Sequence, residues 1–258
     1  MMRFCSLGSG SGGNSTLIET TRGGRVSRVL IDCGFSLREL ERRLGLRGVA
    51  LSDIDAVFVT HEHGDHVGCA ASLQRRCGTP LWASAGTQAA ARSLRALPVQ
   101  VARADQAIVV YGLELTPIAV PHDATEPLQM RCSDGVASVG VLTDFGSIEL
   151  GLTERLTGCH ALLVDSNHDP DLLETGPYPW PLKRRIAGPH GHLSNAQAAD
   201  LVRASHHTGL RHVVAAHLSE QNNRPELARM VLAAALGTTA TDIVVATADS
   251  GSPWLDLG

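Results

Sequence analysis

Six consecutive residues carry the densest potential chemistry in this chain, the run His61-Glu62-His63-Gly64-Asp65-His66. Imidazole and carboxylate groups are common ligands of divalent metals, and such a cluster is a heavy load of polar groups for a structural turn. His61 and His63 project from alternate positions, so they reach one ion only if the chain turns sharply, and Gly64 is predicted to permit that turn. The run therefore predicts a metal site, with a chance surface cluster as the alternative.

Further polar residues follow later apolar segments, each at a predicted strand end. They lie in the segments Pro121-His122-Asp123-Ala124, Thr143-Asp144-Phe145-Gly146, Val164-Asp165-Ser166-Asn167-His168-Asp169, Gly191-His192-Leu193-Ser194-Asn195 and Ala216-His217-Leu218-Ser219.

The first run matches the HxHxDH signature without a gap, and in this respect the chain resembles the metallo-β-lactamase superfamily. The later segments resemble the superfamily's later ligands in their order along the chain. The resemblance implies an α/β fold, a four-layer αββα sandwich formed by a single domain over residues 1–258. Two pseudo-equivalent halves are expected, roughly 1–130 and 131–258.

The resemblance also implies a ligand set for two divalent ions. His61, His63 and His122 would hold the first ion, Asp65, His66 and His217 the second, and Asp144 would bridge them. A hydroxide shared by two such ions is a strong nucleophile near neutral pH. Five histidines suit zinc, while two carboxylates and open positions also allow manganese or iron.

An aspartate at the bridging position resembles the ribonuclease Z, glyoxalase II and phosphodiesterase branches. A closer resemblance is to the YycJ/WalJ-type subfamily, on the segments 8–15, 166–169, 178–185, 191–195 and 217–223. It implies a cytosolic metal-dependent nuclease that acts on DNA ends, 5′ to 3′, with a preference for manganese.

Within that resemblance, Asp65 and His192 are the catalytic candidates. Asp65 would orient the nucleophile or accept its proton, and His192 would stabilise the phosphate or protonate the leaving oxygen. Ser194 is also expected to be a helix N-cap, and for Asp165, orientation of His192 and simple capping of a strand end are equally favoured. The predicted substrate and supporting contacts are Asn14, Ser15, Asp165, His168 and Ser194.

Residues Gly8 to Gly13 satisfy G-x-G-x-x-G, and Asp32 lies near the spacing of a ribose-binding acid. The segment that follows, 14–20, is β-rich, whereas a dinucleotide site needs a helix there. A turn between strands is therefore favoured. A loop whose amides, with Asn14 or Ser15, face a phosphate is the alternative.

The densest basic run, Lys183-Arg184-Arg185, follows the aromatic residues Tyr178 and Trp180. Stacking combined with phosphate contacts would suit single-stranded nucleic acid. A solvated helix start explains the same residues almost equally well.

The remaining pattern predicts the elements that position these side chains. Strands are predicted at 14–20, 26–32, 56–60, 80–83, 107–111, 113–120, 137–142, 161–164, 212–216 and 242–246. Helices are predicted at 36–46 with Ser36 as N-cap, and at 66–77, 86–97, 195–205 and 225–236.

Composition limits the class of protein and the partners that the chain can have. The chain has 258 residues and a net charge of −4, which argues mildly against nonspecific duplex binding. No membrane span or signal peptide is evident, and six scattered cysteines are expected to be reduced and mostly buried in the cytosol. The oligomeric state is left open.

Two other functions remain open at this point. The acidic net charge and the lack of a substrate-gripping arm slightly favour a hydrolase of cyclic phosphodiesters, thioesters or lactones. A non-catalytic metal-binding regulatory protein is disfavoured, because every matched ligand position is filled.

Overall fold

Two seven-stranded β-sheets form the centre of the molecule, in a computed structural model that describes residues 1–258. The first sheet has the strand order β14-β1-β2-β3-β4-β5-β6. Its strands are β1 (Met2–Gly8), β2 (Ser15–Arg22), β3 (Arg25–Ile31), β4 (Ala56–Phe58), β5 (Leu81–Ala83), β6 (Val99–Val101) and β14 (Leu255–Asp256).

The second sheet has the order β13-β12-β11-β10-β9-β8-β7. Its strands are β7 (Ile108–Val110), β8 (Leu113–Ala119), β9 (Leu128–Ser133), β10 (Ser138–Leu142), β11 (Ala161–Asp165), β12 (His212–Ala216) and β13 (Val244–Val245). Both sheets combine antiparallel hairpins with a parallel section, which runs from β3 to β6 in the first sheet. In the second sheet it runs from β10 to β13.

Nine α-helices connect the strands or cover the sheets. They are α1 (Leu37–Gly45), α2 (Gly64–Val67), α3 (Ala70–Cys77), α4 (Ala85–Ala90), α5 (Leu152–Arg155), α6 (Pro170–Thr175), α7 (Trp180–Ile186), α8 (Asn195–Ala204) and α9 (Pro225–Leu236). Ser36 caps α1, as predicted, by accepting a hydrogen bond from the amide of Glu39 at 3.2 Å.

Three apolar clusters define four layers. The central cluster joins side chains of both sheets, for example Phe4 and Phe58 of the first with Met130 of the second. A second cluster lies between the outer face of the first sheet and α1 and α3, and a third lies between the second sheet, α8 and α9. Because alternate side chains of a strand point to opposite faces, each sheet can bury both faces in this way. The predicted αββα sandwich is therefore confirmed.

Several predicted boundaries are wrong. The helix expected at 66–77 is broken at Gly68, whose φ is 24° and whose added Cβ would lie 2.4 Å from the Cys33 carbonyl oxygen. The helix expected at 86–97 ends at Ala90, because Ala91 is extended and the next residues form turns. Of the strand expected at 242–246, only Val244–Val245 forms.

Seven strands or helices were not predicted, namely β1, β6, β9, β14, α5, α6 and α7. All six cysteines are unpaired, and Cys77 alone is exposed. None of the nine helices has the length and apolar character needed to traverse a lipid bilayer.

Candidate metal centre

The predicted ligands meet at one edge of the sandwich, where strands of both sheets end. His61 and His63 follow β4 of the first sheet, and Asp65 and His66 lie in α2. The second sheet contributes the remaining ligands from the ends of three strands, His122 after β8, Asp144 after β10 and His217 after β12. The site therefore joins the two sheets.

The first group consists of His61, His63 and His122, whose nitrogen atoms lie within 4.8 Å of one another. The facing nitrogens, His61 Nε2 and His63 Nδ1, are 3.1 Å apart. Burial holds the pKa of His61 well below its usual range, so this imidazole is neutral, the form that binds metals.

The second group consists of Asp65, His66, Asp144 and His217, also within 4.8 Å of one another. His66 Nε2 lies 2.5 Å from Asp144 Oδ2, and the same oxygen is 3.5 Å from His61 Nε2 of the first group. Asp144 thus lies between the two groups, the position expected of a bridging ligand. Burial disfavours a charged His66, but the Asp144 and Asp32 carboxylates outweigh burial and hold the pKa of His66 well above its usual range.

Several buried atoms at this edge lack a hydrogen-bond partner. They include His122 Nε2, Asp144 Oδ1 and His217 Nε2. Buried polar atoms are normally paired, so unpaired acceptors that converge from three chain segments are a costly arrangement without a cation. The donor set of imidazole nitrogens and carboxylate oxygens fits divalent transition metals. The residues present therefore fit divalent metal binding.

His192 lies beside the metal ligands, and contacts with Asp165 and His217 fix its ring. Its Nδ1 donates to Asp165 Oδ2 at 3.0 Å, and its ring stacks on that of His217 with centroids 5.0 Å apart. Burial disfavours the charged ring, yet the adjacent Asp165 carboxylate raises the pKa of His192 to about 9. The structure thus brings Asp165 to the position at which it would orient His192, leaving Nε2 as the free nitrogen.

Asp32 supports the ligands and was missed as a functional residue. Its Oδ2 accepts from His66 Nδ1 at 2.7 Å, and its carboxylate also accepts from the amide and hydroxyl of Thr60. The Thr60 hydroxyl lies 3.0 Å from Nδ1 of His61, so Asp32 braces histidines of both groups. Carboxylates often fix metal-binding histidines in this way. The available signal was its position at the end of β3, the parallel neighbour of the strand that leads into the histidine run.

Asp32, Asp144 and His217 share an unusual backbone conformation, with φ angles of 62°, 58° and 54°. A positive φ is uncommon outside glycine, and asparagine and aspartate tolerate it best. Each of these residues ends a strand, so the left-handed turn directs its side chain toward the shared edge.

Glycines allow the close contacts that hold the ligand loops. An added Cβ at Gly34 would lie 1.6 Å from the backbone oxygen of Asp65. Gly64, in contrast, has an ordinary φ and open space around it, so the expectation that it makes the sharp turn is wrong. The turn occurs instead because His63 is the extended N-cap of α2.

The remaining predicted site residues differ in their distance from the metal-ligand groups. The Asn14 amide donates to Asp65 Oδ2 at 3.2 Å and lies 3.1 Å from His66 Nε2, so it contacts the centre directly. The Ser15 hydroxyl donates to the Asp32 carbonyl instead. Ser194 is the predicted N-cap of α8, with a capping box to Gln197.

Two further polar residues of the motifs lie apart from the ligand groups. The imidazole of His168 is buried and has no hydrogen-bond partner at Nδ1. Glu62, inside the histidine run, accepts from the amide and hydroxyl of Thr125 and so ties this run to the loop after β8.

An open cleft runs past His192 at the metal centre. On one side it is lined by His63, Asp123 and Arg185, and its volume there is about 200 Å³. On the other side it continues to Tyr178 and Ser219. The two sections share one wall, formed by Leu182 and Ile186 of α7, so the cleft is a groove and not a single closed pocket.

Comparison with known proteins gives consistent similarities. A family model described as "Beta-lactamase superfamily domain" matches residues 27–218. The chain is 31% identical over 237 residues to exodeoxyribonuclease YycJ of Bacillus anthracis, covering 89% of this chain and 87% of that protein. It is 30% identical to exodeoxyribonuclease WalJ of Streptococcus pneumoniae, covering 89% and 86%. The metallo-β-lactamase fold protein YhfI of Bacillus subtilis superposes with a TM-score of 0.73 at 16% identity, covering 99% of this chain and all of that one.

Proposed function

This chain belongs to the β-lactamase superfamily and to its YycJ/WalJ-type subfamily, and from that premise we propose that it degrades DNA from 5′ ends with two divalent ions. Membership makes it a metal-dependent hydrolase. The observation that carries the proposal is the position of His192, whose free Nε2 faces a groove beside seven converging ligands. Two relatives named as exodeoxyribonucleases support DNA as the substrate.

We assign the two groups of ligands to two ions, with Asp144 between them. His61, His63 and His122 would hold one, and Asp65, His66 and His217 the other. Divalent ions here would supply an activated water and neutralise charge on the phosphate. Zinc and manganese both suit this donor set.

The protein's own groups would bind and orient the phosphodiester. His192, with its pKa raised to about 9 by Asp165 despite burial, carries a proton at neutral pH and can donate it from Nε2 to a phosphate oxygen. Asp165 fixes the ring by accepting from Nδ1. Asp65 Oδ2 accepts from the Asn14 amide at 3.2 Å, and it would orient the attacking water or accept its proton.

The test is digestion of linear DNA labelled at either end, single-stranded or duplex, with Mn²⁺ or Zn²⁺. We expect early release of the 5′ label, and loss of activity in His192→Ala and Asp144→Ala. His190→Ala is the matched control, because it removes an exposed imidazole two residues from His192. Intact DNA, set beside hydrolysis of a small diester by the same metal-loaded protein, would contradict the DNA assignment and favour a small-molecule substrate.

A further inference from the structure

A second pocket lies on the other side of the groove wall. Helix α7 presents Leu182 and Ile186 to the groove, while Trp180, Lys183 and Arg184 line a separate pocket of about 220 Å³. Drug-sized ligand sites are usually roughly 300–1,000 Å³, so this pocket suits a single planar ring system. The two cavities are thus separated by one helix.

The pocket combines an aromatic face, an apolar floor and positive charge. Trp180 is 65% exposed and is the one exposed tryptophan of three. Pro170 and Leu173 form the apolar part, and one acidic residue, Glu174, lies on the wall. An exposed indole beside apolar side chains is typical of a recognition surface.

One cation at this pocket, Arg184, is available to a ligand. Arg185, in the groove, is paired with Asp123 at 2.5 Å. The Arg184 side chain forms no ion pair or hydrogen bond. The Lys183 ammonium lies 5.5 Å from the Trp180 ring centre and donates to the Glu174 carbonyl. In a chain of net charge −4, an unpaired arginine beside an exposed indole favours an anionic aromatic ligand.

The inner wall adds a polar group without a partner. His168 is 3% exposed, and its side chain makes no hydrogen bond to the protein. Burial of an unpaired imidazole is unfavourable unless a ligand pairs with it. Its position in this pocket therefore supplies a hydrogen-bonding group for the edge of a ring.

The pocket and the groove lie close together at the start of α7. Tyr178 lines the groove and Trp180 lines the pocket, and only Pro179 separates them in sequence. We propose that this pocket binds an unpaired base of the DNA strand that flanks the scissile phosphate, with the base on Trp180 and its phosphate at Arg184. This inference rests on the proposed function, because it names the part of the substrate that the core grips.

Binding is measured by the fluorescence anisotropy of a short dye-labelled single-stranded oligonucleotide, without metal so that nothing is cleaved. Base stacking is strong enough that Trp180→Leu should weaken binding roughly tenfold or more, with Trp180→Phe retaining most of it. Affinity falls as salt rises, and Arg184→Gln should make the slope of log affinity against log salt shallower by about 0.7. Arg92→Gln, which removes an exposed arginine outside both cavities, is the matched control and should leave the slope unchanged.

The variants are then compared on two substrates with metal present. Hydrolysis of bis(p-nitrophenyl) phosphate should be the same in Trp180→Leu and wild type, while digestion of single-stranded DNA at low concentration should fall. Equal oligonucleotide affinity in Trp180→Leu and wild type, with DNA still digested, would overturn the base site and leave the proposed function standing. Failure to bind or digest DNA at all, with the small diester still cleaved, would remove both.

Discussion

At the scale of single residues, substitution of Asp32 tests most directly whether the residues that position the metal-binding histidines affect metal binding. Asp32→Asn keeps the shape of the side chain and tolerates the φ of 62°. It removes the negative charge of the carboxylate that accepts a hydrogen bond from His66. We expect metal affinity to fall about 10–100-fold with the fold retained. Competition with a chromophoric chelator measures this.

Asp105→Asn is the control for that substitution, since Asp105 has a φ of 59° and accepts from Arg155 away from the centre. An affinity for metal in Asp32→Asn equal to that of the control would show that Asp32 has no supporting role.

Asp165 should affect turnover and not metal loading. Asp165→Asn weakens the 3.0 Å contact that orients His192 and removes the charge that raises the pKa of His192. We expect kcat to fall about 10–100-fold, with metal content and KM close to wild type. Steady-state kinetics on a small diester, with metal content measured on the same sample, separates the two effects. Loss of metal from this variant would instead make Asp165 part of the ligand set.

Residue types predict the ligands better than they predict the residues that support them. The HxHxDH run could be recognised because its spacing is local, and the structure brings its members together. Asp32 was considered only for its spacing from a nucleotide motif that the sequence disfavours, because only the pairing of β3 with β4 shows that it ends beside Thr60. Contacts between residues far apart in sequence depend on register, which no local pattern contains.

At the scale of elements, Gly34 tests how the loop after β3 holds α2. Gly34→Ala would place a methyl group against the Asp65 backbone, which cannot move without displacing the ligand loop. We expect a loss of about 3 kcal/mol in stability and weaker metal binding. Thermal unfolding with and without metal gives both values.

Gly45→Ala is the matched substitution, because nothing lies within 4 Å of the added methyl group at the end of α1. It should be neutral or stabilising by about 0.5–1 kcal/mol. Similar losses in both variants would show that the close approach at Gly34 is not the cause.

Strongly periodic elements were predicted well, and elements set by tertiary contacts were not. The bounds of α9 agree with the prediction because Pro225 begins it and Gly237 ends it in a left-handed cap. The helix at 86–97 stops early because Ala91 is extended, and the Arg95 side chain donates to the Ala89 carbonyl group that this leaves without a helical partner. Helix α7 carries no buried residue, so no apolar stripe indicated it.

At the scale of the whole molecule, metal binding should stabilise the fold. The unpaired acceptors at His122, Asp144 and His217 are buried in the native protein only, so a cation that pairs them binds the folded state preferentially. At 100 times the dissociation constant, stabilisation of about 2.7 kcal/mol is expected. Differential scanning calorimetry of the chelated and reloaded protein measures it. A melting temperature that does not respond to either metal would contradict the ligand assignment.

The ligands come from strand ends of both sheets, so bound metal should oppose local separation of the two sheets at that edge. When bound metal is removed, the two sheets should lose their link at that edge, while the central apolar cluster still holds them elsewhere. Amide protons near the ends of β4, β10 and β12 should then exchange with deuterium faster, whereas those at the opposite ends of the same strands should not change. Bound metal would thus determine which edge of the sandwich opens first.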